Sequence, residues 1–229
     1  MNSDTIRIWE EDIYSKDKNI VRYPYDSVVA FLFKNYPRNK ERNDIRILEV
    51  GSGTGNNLWF AAREGFSVTG IEGSATAVEY ARKRFKDENL EGEFIVGYFT
   101  KIPFPDNSFD IVIDRGSVSY VNFHLAKETI REIKRVLLNQ GVFYFTPYSE
   151  RNSLFASGKL GEDGMIHNSD GGPSGSHTMC FYGKNNIFDV LEKGWEIKSI
   201  THKSFEDVTL PAVRIHAEWE VVAINNKTQ

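Results

Sequence analysis

The chain predicts an α/β fold: a doubly wound, mostly parallel sheet with helices on both faces and an antiparallel strand at the C-terminal edge. Three observations carry that expectation. Short apolar runs alternate with helix-length amphipathic segments from about residue 45 to 147. The runs are continuously apolar, as in strands buried on both faces. The last two strand-like runs follow each other with no helix between them, which predicts an antiparallel pair.

In order along the chain, DSVVAFLFKNY (26–36) predicts an N-terminal helix, preceded by the aromatic residues Trp9, Tyr14, Tyr23 and Tyr25. IRILEV (45–50) predicts the first strand, and NLWFAAREG (57–65) a helix stopped by Gly65. SVTGIE (67–72) predicts the second strand, with Ser74 as N-cap of the helix ATAVEYARKRFKDE. EFIVGYF (93–99) predicts a third strand, KIPFPDNS a proline-broken loop, and FDIVID (109–114) a fourth strand. HLAKETIREIKRVLL spaces Ile130, Ile133, Val136 and Leu137 as a helix does, and the turn NQG leads into the fifth strand VFYFTP. From Tyr148 the pattern gives way to a long Gly-, Ser- and Asn-rich stretch. NIFDVLEKG then predicts a helix, and WEIKSITHKSF and AEWEVVAI two closing strands. One domain over 1–229 follows, with four parts: an N-terminal helical and aromatic cap (1–44), a core (45–147), a substrate or lid loop (148–182), and a C-terminal helix with edge strands (183–229).

With 229 residues, 40% hydrophobic and 26% charged, the composition is that of an ordinary folded domain. A net charge of −4 argues against non-specific attraction to nucleic acid or to an anionic membrane. The single cysteine, Cys180, rules out an internal disulfide and a cysteine-rich zinc site. No apolar run reaches the roughly 20 residues that a membrane helix requires. The N-terminus lacks a basic-then-apolar leader, which predicts a cytoplasmic protein. The histidines show no metal-ligand spacing, so no bound metal is expected.

ILEVGSGTGNN (47–57) places three glycines directly after the first predicted strand. A glycine loop joining a strand to its helix lets a ligand approach the backbone at the helix N-terminus. Both a dinucleotide and an adenosine-containing cofactor suit that geometry. A dinucleotide site requires a small residue where this chain has Asn56. Glu72, ending the second predicted strand, can accept from both hydroxyls of a ribose.

These residues resemble the class I S-adenosylmethionine-dependent methyltransferases, in their small-molecule branch. ILEVGSGTGNN is similar to the family's first motif and GIEGS (70–74) to its ribose-binding acid. FTKIPFPDNSFDIVIDRGSVSYV (99–121) and REIKRVLLNQGVFYFTP (131–147) resemble the segments that follow. The resemblance implies a Rossmann-like sheet and S-adenosyl-L-methionine as cofactor. Carried over by motif, Glu49, Gly51, Ser52, Gly53 and Gly55 would hold the methionine end and backbone of the cofactor. Glu72 would take the ribose, with Gly73 and Ser74 nearby. Tyr98 and Phe99 would flank the adenine, although the family more often has an acid in the place of Tyr98. Asp114, Arg115 and Gly116 would lie at the reactive end.

In-line methyl transfer to a small-molecule acceptor is the reaction so implied. Tyr14, Tyr23, Tyr25, Ser117 and Tyr148 are candidates for substrate contact or closure. His167 and His177, in the long loop, are candidate general bases for a hydroxyl acceptor. Arg115 either binds an acidic substrate or pairs with a local carboxylate. His124, His202 and His216 carry no assigned role. Two alternatives stand beside this reading: a non-catalytic S-adenosylmethionine-binding regulator, and a nicotinamide-dependent oxidoreductase, which Asn56 disfavours.

Overall fold

The computed structural model describes residues 6–16, 20–167, 178–209 and 214–227. Its sheet has seven strands: β1 (Arg46–Val50), β2 (Ser67–Glu72), β3 (Glu93–Val96), β4 (Phe109–Asp114), β5 (Leu137–Phe145), β9 (Trp195–Asp207) and β10 (Arg214–Asn225). They lie in the order β3-β2-β1-β4-β5-β10-β9. The first five are mutually parallel, and β10 runs antiparallel to both β5 and β9. The antiparallel pairing sits at the C-terminal edge as expected; β10 itself lies one place in, and β9 forms the edge.

Side-chain alternation along each strand divides the core in two. Ile47, Ile111, Ile113, Val142 and Tyr144 face one side, against α1 (Asp26–Asn35), α2 (Asn56–Arg63) and α3 (Ala75–Asp87). Leu48, Val50, Val112, Phe143 and Phe145 face the other, against α4 (Phe123–Val136) and a later helix, Lys184–Val190. Both faces being covered explains the unbroken apolar runs. Each large side chain so buried contributes about 1.5–3 kcal/mol relative to exposure. The caps follow the sequence: the Ser74 hydroxyl accepts from the Ala77 N–H at 3.1 Å, and Asn122 caps α4 through the Leu125 N–H at 3.0 Å. Gly65 ends α2 with φ +88°.

Three expectations change. β3 stops at Val96: the Gly97 N–H still donates to the Glu72 carbonyl, and the chain then leaves the sheet. β5 begins at Leu137, directly after α4, so the NQG turn lies inside the strand. Gln140 there takes φ +65°, and the register with β4 shifts between Phe109 and Ile111. The stretch after Tyr148 is partly built into the fold rather than looped throughout. It contains α5 (Ser153–Ser157) and a small antiparallel sheet of β6 (Lys159–Leu160), β7 (Ile166–His167) and β8 (Thr178–Met179), and it leads into α6, the helix Lys184–Val190. Met179, Cys180, Phe181 and Tyr182 are buried, and the Cys180 N–H donates to the Ser119 carbonyl at 2.7 Å. Among the described residues no helix is long and apolar enough to cross a membrane.

Candidate functional site

β1 has β2 on one side and β4 on the other, so the connections leaving β1 and β4 diverge and open a crevice at the carboxyl ends of the strands. A cavity of about 270 Å³ occupies that crevice. It reaches from Glu72 at the end of β2, past Glu49 on β1 and Arg115 after β4, to Tyr148 after β5 and His216 near the start of β10.

The floor is the glycine turn. Gly51, Gly53 and Gly55 have φ of +65°, +52° and +73°, a region that L side chains seldom enter. A Cβ on Gly51 would lie 2.3 Å from the Ser117 Cβ, and one on Gly53 would lie 2.8 Å from the Tyr14 hydroxyl. The turn is therefore glycine-rich both for its backbone and for close approach. Gly55 serves differently: it caps α2, and its missing Cβ makes room for Phe94 and Ala81.

Two carboxylates flank the turn. Glu72 accepts from the Gly53 N–H and the Ser74 N–H, each at 2.9 Å, which ties the turn to the start of α3. Burial still raises its pKa, against the lowering effect of those bonds. Glu49 is 2% exposed; its Oε1 accepts from the Asn57 amide at 2.6 Å, and its Oε2 has no partner among the described residues. Burial, aided by the nearby Asp114 and Glu72 charges, pushes its pKa up to about 8.

Asn56 and Asn57 explain why this chain departs from a small residue at the start of α2. The Asn56 amide donates to the Tyr23 carbonyl at 2.9 Å, and the Asn57 Oδ1 accepts from the Tyr25 N–H at 3.1 Å. Both stitch the segment before α1 to the glycine turn while Asn57 orients Glu49.

Aromatic rings form a wall. Trp9 lies edge-on to Tyr120 at 5.3 Å, Tyr120 to Tyr148 at 6.3 Å, and Tyr148 to His216 at 5.6 Å. Burial holds the Tyr14 and Tyr148 phenols well above their usual pKa, so both remain protonated. The Arg115 guanidinium contacts Glu218 at 3.0 Å and sits 4.4 Å from the Tyr25 ring centroid. Of the two readings of Arg115, the ion pair with a local carboxylate is the one observed.

Among the residues predicted from sequence, Tyr14, Tyr25, Glu49, Gly51, Ser52, Gly53, Glu72, Arg115, Ser117 and Tyr148 line the cavity. The others do not. Gly73 packs beneath Ile6, and Ser74 caps α3. Phe99 is buried in the core, whereas Tyr98 is 52% exposed, so the two face different surroundings. The Asp114 carboxylate turns away to cap the short turn after β4, accepting from the Val118 N–H at 2.9 Å and from the Ser117 hydroxyl. Gly116 forms the left-handed entry to that turn, and Tyr23 stands exposed against Trp59. His167 is exposed on β7 beside Thr178 and Asp163, and His177 lies outside the described residues.

The sequence reading missed Trp9, Val21, Thr54, Asn56, Asn57, Tyr120 and His216 as cavity residues. Three of these had a legible signal. Adjacent asparagines at a buried helix start need polar partners. The spacing His216-x-Glu218 on a strand puts an imidazole and a carboxylate on one face.

Residues 47–141 match the family described as "Methyltransferase domain". Over 122 residues the chain is 32% identical to a demethylmenaquinone methyltransferase of Thermotoga maritima, a match covering 52% of this chain and 51% of that protein. The chain thus spans about half the length of that curated relative. Its fold is similar to that of a methyltransferase from Methanosarcina mazei described as SAM-dependent (TM-score 0.69, 22% identity, 84% of this chain and 98% of the other). It is also similar to a magnesium protoporphyrin IX methyltransferase of Synechocystis solved with bound SAH (TM-score 0.65, 16% identity, 88% and 81%).

Proposed function

We propose that this chain is a class I S-adenosylmethionine-dependent methyltransferase, which transfers a methyl group from S-adenosylmethionine to a small-molecule acceptor held in this cavity. The observation that carries the reading is the pair of carboxylates on the neighbouring strands β1 and β2, either side of the glycine turn. Among the described residues, Glu49 has a buried oxygen with no partner, and the Arg115 guanidinium that lines the cavity is already paired with Glu218. Such a cavity favours a cation, and an ammonium group facing Glu49 would satisfy the orphaned oxygen and lower its pKa.

The residues fit the cofactor in kind. The bare backbone of Gly51 and Gly53 admits a close approach, Glu72 offers a carboxylate to ribose hydroxyls, and the ring faces of Trp9, Tyr14 and Tyr120 favour a positive sulfonium. When bound, the cofactor supplies a methyl group already activated on sulfur. The protein's own work is then to hold the acceptor in line and to exclude water. The cavity extends past Arg115 to Tyr148 and His216, on the β5 and β10 side, and that half is the acceptor's. The free, buried Cys180 and the acidic balance support a cytoplasmic protein acting on a small molecule rather than on nucleic acid.

Calorimetric titration with S-adenosylmethionine, S-adenosylhomocysteine and NAD tests the reading. Binding of the first two without the third is expected; binding of NAD alone would overturn it.

A further inference from the structure

Among the described residues, the imidazole that lines the acceptor end of the cavity is His216, and a buried carboxylate orients it. His216 Nε2 lies 3.3 Å from Glu218 Oε2. Glu218 is 3% exposed and also holds the Arg115 guanidinium at 3.0 Å. Burial alone would raise the Glu218 pKa, but His216 and Arg115 outweigh it and keep this carboxyl below its usual range. The charged Glu218 carboxylate accepts from the Nε2–H, and the tautomer that this contact selects leaves Nδ1 as the acceptor nitrogen. Among the described residues Nδ1 has no hydrogen-bond partner. The surroundings of the ring are aromatic: Tyr148 lies edge-on at 5.6 Å, and Phe205, 61% exposed, lies at 6.4 Å on β9.

Resting on the methyl-transfer reading above, we propose that His216 is the general base of the reaction, and that the acceptor is a planar, apolar molecule with an acidic hydroxyl of the phenol or enol kind. The hydroxyl proton passes to Nδ1 of His216. The oxygen's electron pair forms the new bond to the methyl carbon of the sulfonium donor, and the carbon–sulfur pair stays on sulfur. Glu218 is a positioning residue that holds the tautomer, and Arg115 keeps Glu218 charged. Tyr148, the other protic side chain beside the ring, is held protonated by burial and does not compete for the proton. The exposed Phe205 ring beside His216 gives a planar acceptor a face on which to enter. The long-loop histidine His167 is not on the cavity, and His177 lies outside the described residues.

The test uses para-nitrophenol, whose anion is coloured and which ionises near neutrality, added to the protein saturated with S-adenosylhomocysteine. A pH titration reads the bound dye against the charged groups around His216. By strand register these are Arg214 and Glu218 on β10 and Lys203 and Asp207 on β9, with Arg115 from a neighbouring loop; the Tyr148 phenol also faces the ring but stays neutral. The wild-type protein is expected to bind the dye and to ionise it at a lower pH than free solution does. His216→Gln should raise the bound midpoint by about one pH unit, the scale of one charge-assisted hydrogen bond. Turnover of unsubstituted phenol, which needs a base more than para-nitrophenol does, should fall about a hundredfold or more. Glu218→Gln should move the bound midpoint in the same direction, which a merely structural role would not do.

Binding with an unchanged midpoint in His216→Gln overturns the base assignment, and absence of dye binding to the loaded wild-type protein overturns the acceptor class. Failure of the wild-type protein to bind S-adenosylhomocysteine would strike instead at the methyl-transfer reading. The His216 side chain is 40% exposed, so its replacement opens no core cavity, and His216→Asn provides a second arm should the glutamine variant not fold.

Discussion

The Glu72 carboxylate accepts a hydrogen bond from the backbone N–H of Gly53 at 2.9 Å. Its other oxygen accepts from the Ser74 N–H at the same distance. One side chain therefore links the turn after β1 to the helix after β2, and the acid of the β2 end acts on the shape of the glycine floor before any ligand arrives.

Replacing Glu72 with alanine removes both bonds at once. Hydrogen bonds to a charged group are worth about 1.5–3 kcal/mol each, but water reaches this half-buried site and replaces part of them. The expected outcome is a moderate loss of stability by thermal melting and at least about a tenfold loss of S-adenosylhomocysteine affinity by calorimetry. A variant that melts lower yet binds as before would reduce Glu72 to a structural tie.

Gly51 sits at φ +65° with the Ser117 Cβ in the space its own would take. Gly51→Ala is expected to lose about 1–2 kcal/mol to the left-handed backbone alone, and more to the clash. Ser117→Gly removes the opposing Cβ, so the double variant should recover part of the loss. A double-mutant cycle by chemical denaturation should show coupling between the two sites, and simple additivity would mean that the turn relaxes away from Ser117.

The sheet and most helices were legible because their signals are local: apolar continuity in Ile47–Val50 and Phe109–Asp114, and cap chemistry at Ser74. The half of the cavity beside the glycine turn was legible for a related reason, since Glu49, the glycines and Glu72 lie at strand ends where the crevice must open. The half beside β5 and β10 was not. His216 and Tyr148 meet because β10 inserts beside β5, a pairing between residues far apart in sequence. Trp9 and Tyr14 reach the cavity through the fold of the N-terminal segment over α3, and no periodicity announces that contact.

Glu49 sets a pH dependence whose sign is fixed. Its folded pKa of about 8 lies above the unfolded value of 4.5, so folding binds a proton between them. That contribution to stability is complete below the unfolded pKa and is lost as pH rises through about 8. Asp114, raised to about 6, adds an earlier fall of the same sign. Glu49→Gln keeps an oxygen for Asn57 and removes the ionisation. It should be more stable than wild type at alkaline pH and nearly equal in mild acid, checked by denaturant melts across that range. Cofactor binding to wild type near neutrality should release protons, read as a dependence of binding heat on the buffer's ionisation enthalpy, and Glu49→Gln should abolish that release.

The N-terminal segment is tied down beside the Glu72 end of the cavity through Glu10. Its carboxylate accepts from the Thr76 hydroxyl at 2.5 Å and the Thr76 N–H at 3.2 Å, and it also meets the Ser74 hydroxyl, all at the start of α3. An acid in that position is favoured by the unpaired N–H groups of the helix end, typically by about 0.3–1 kcal/mol. Ile6 covers Gly73 and Tyr14 covers Gly53, so the segment lies over both glycines beside Glu72. Glu10→Ala should loosen this cover while leaving the sheet intact, and the rates of S-adenosylhomocysteine entry and release should both rise. Stopped-flow tryptophan fluorescence can follow them, since Trp9 lines the cavity. Burial works to raise the Glu10 pKa, but the hydrogen bonds at α3 outweigh it and the pKa is lowered. Its contribution to docking is therefore present above the ordinary glutamate pKa and is lost as pH falls through the lowered one. Acid should make wild-type rates approach those of Glu10→Ala. Rates that stay the same in the variant would mean that the cofactor enters without moving this segment.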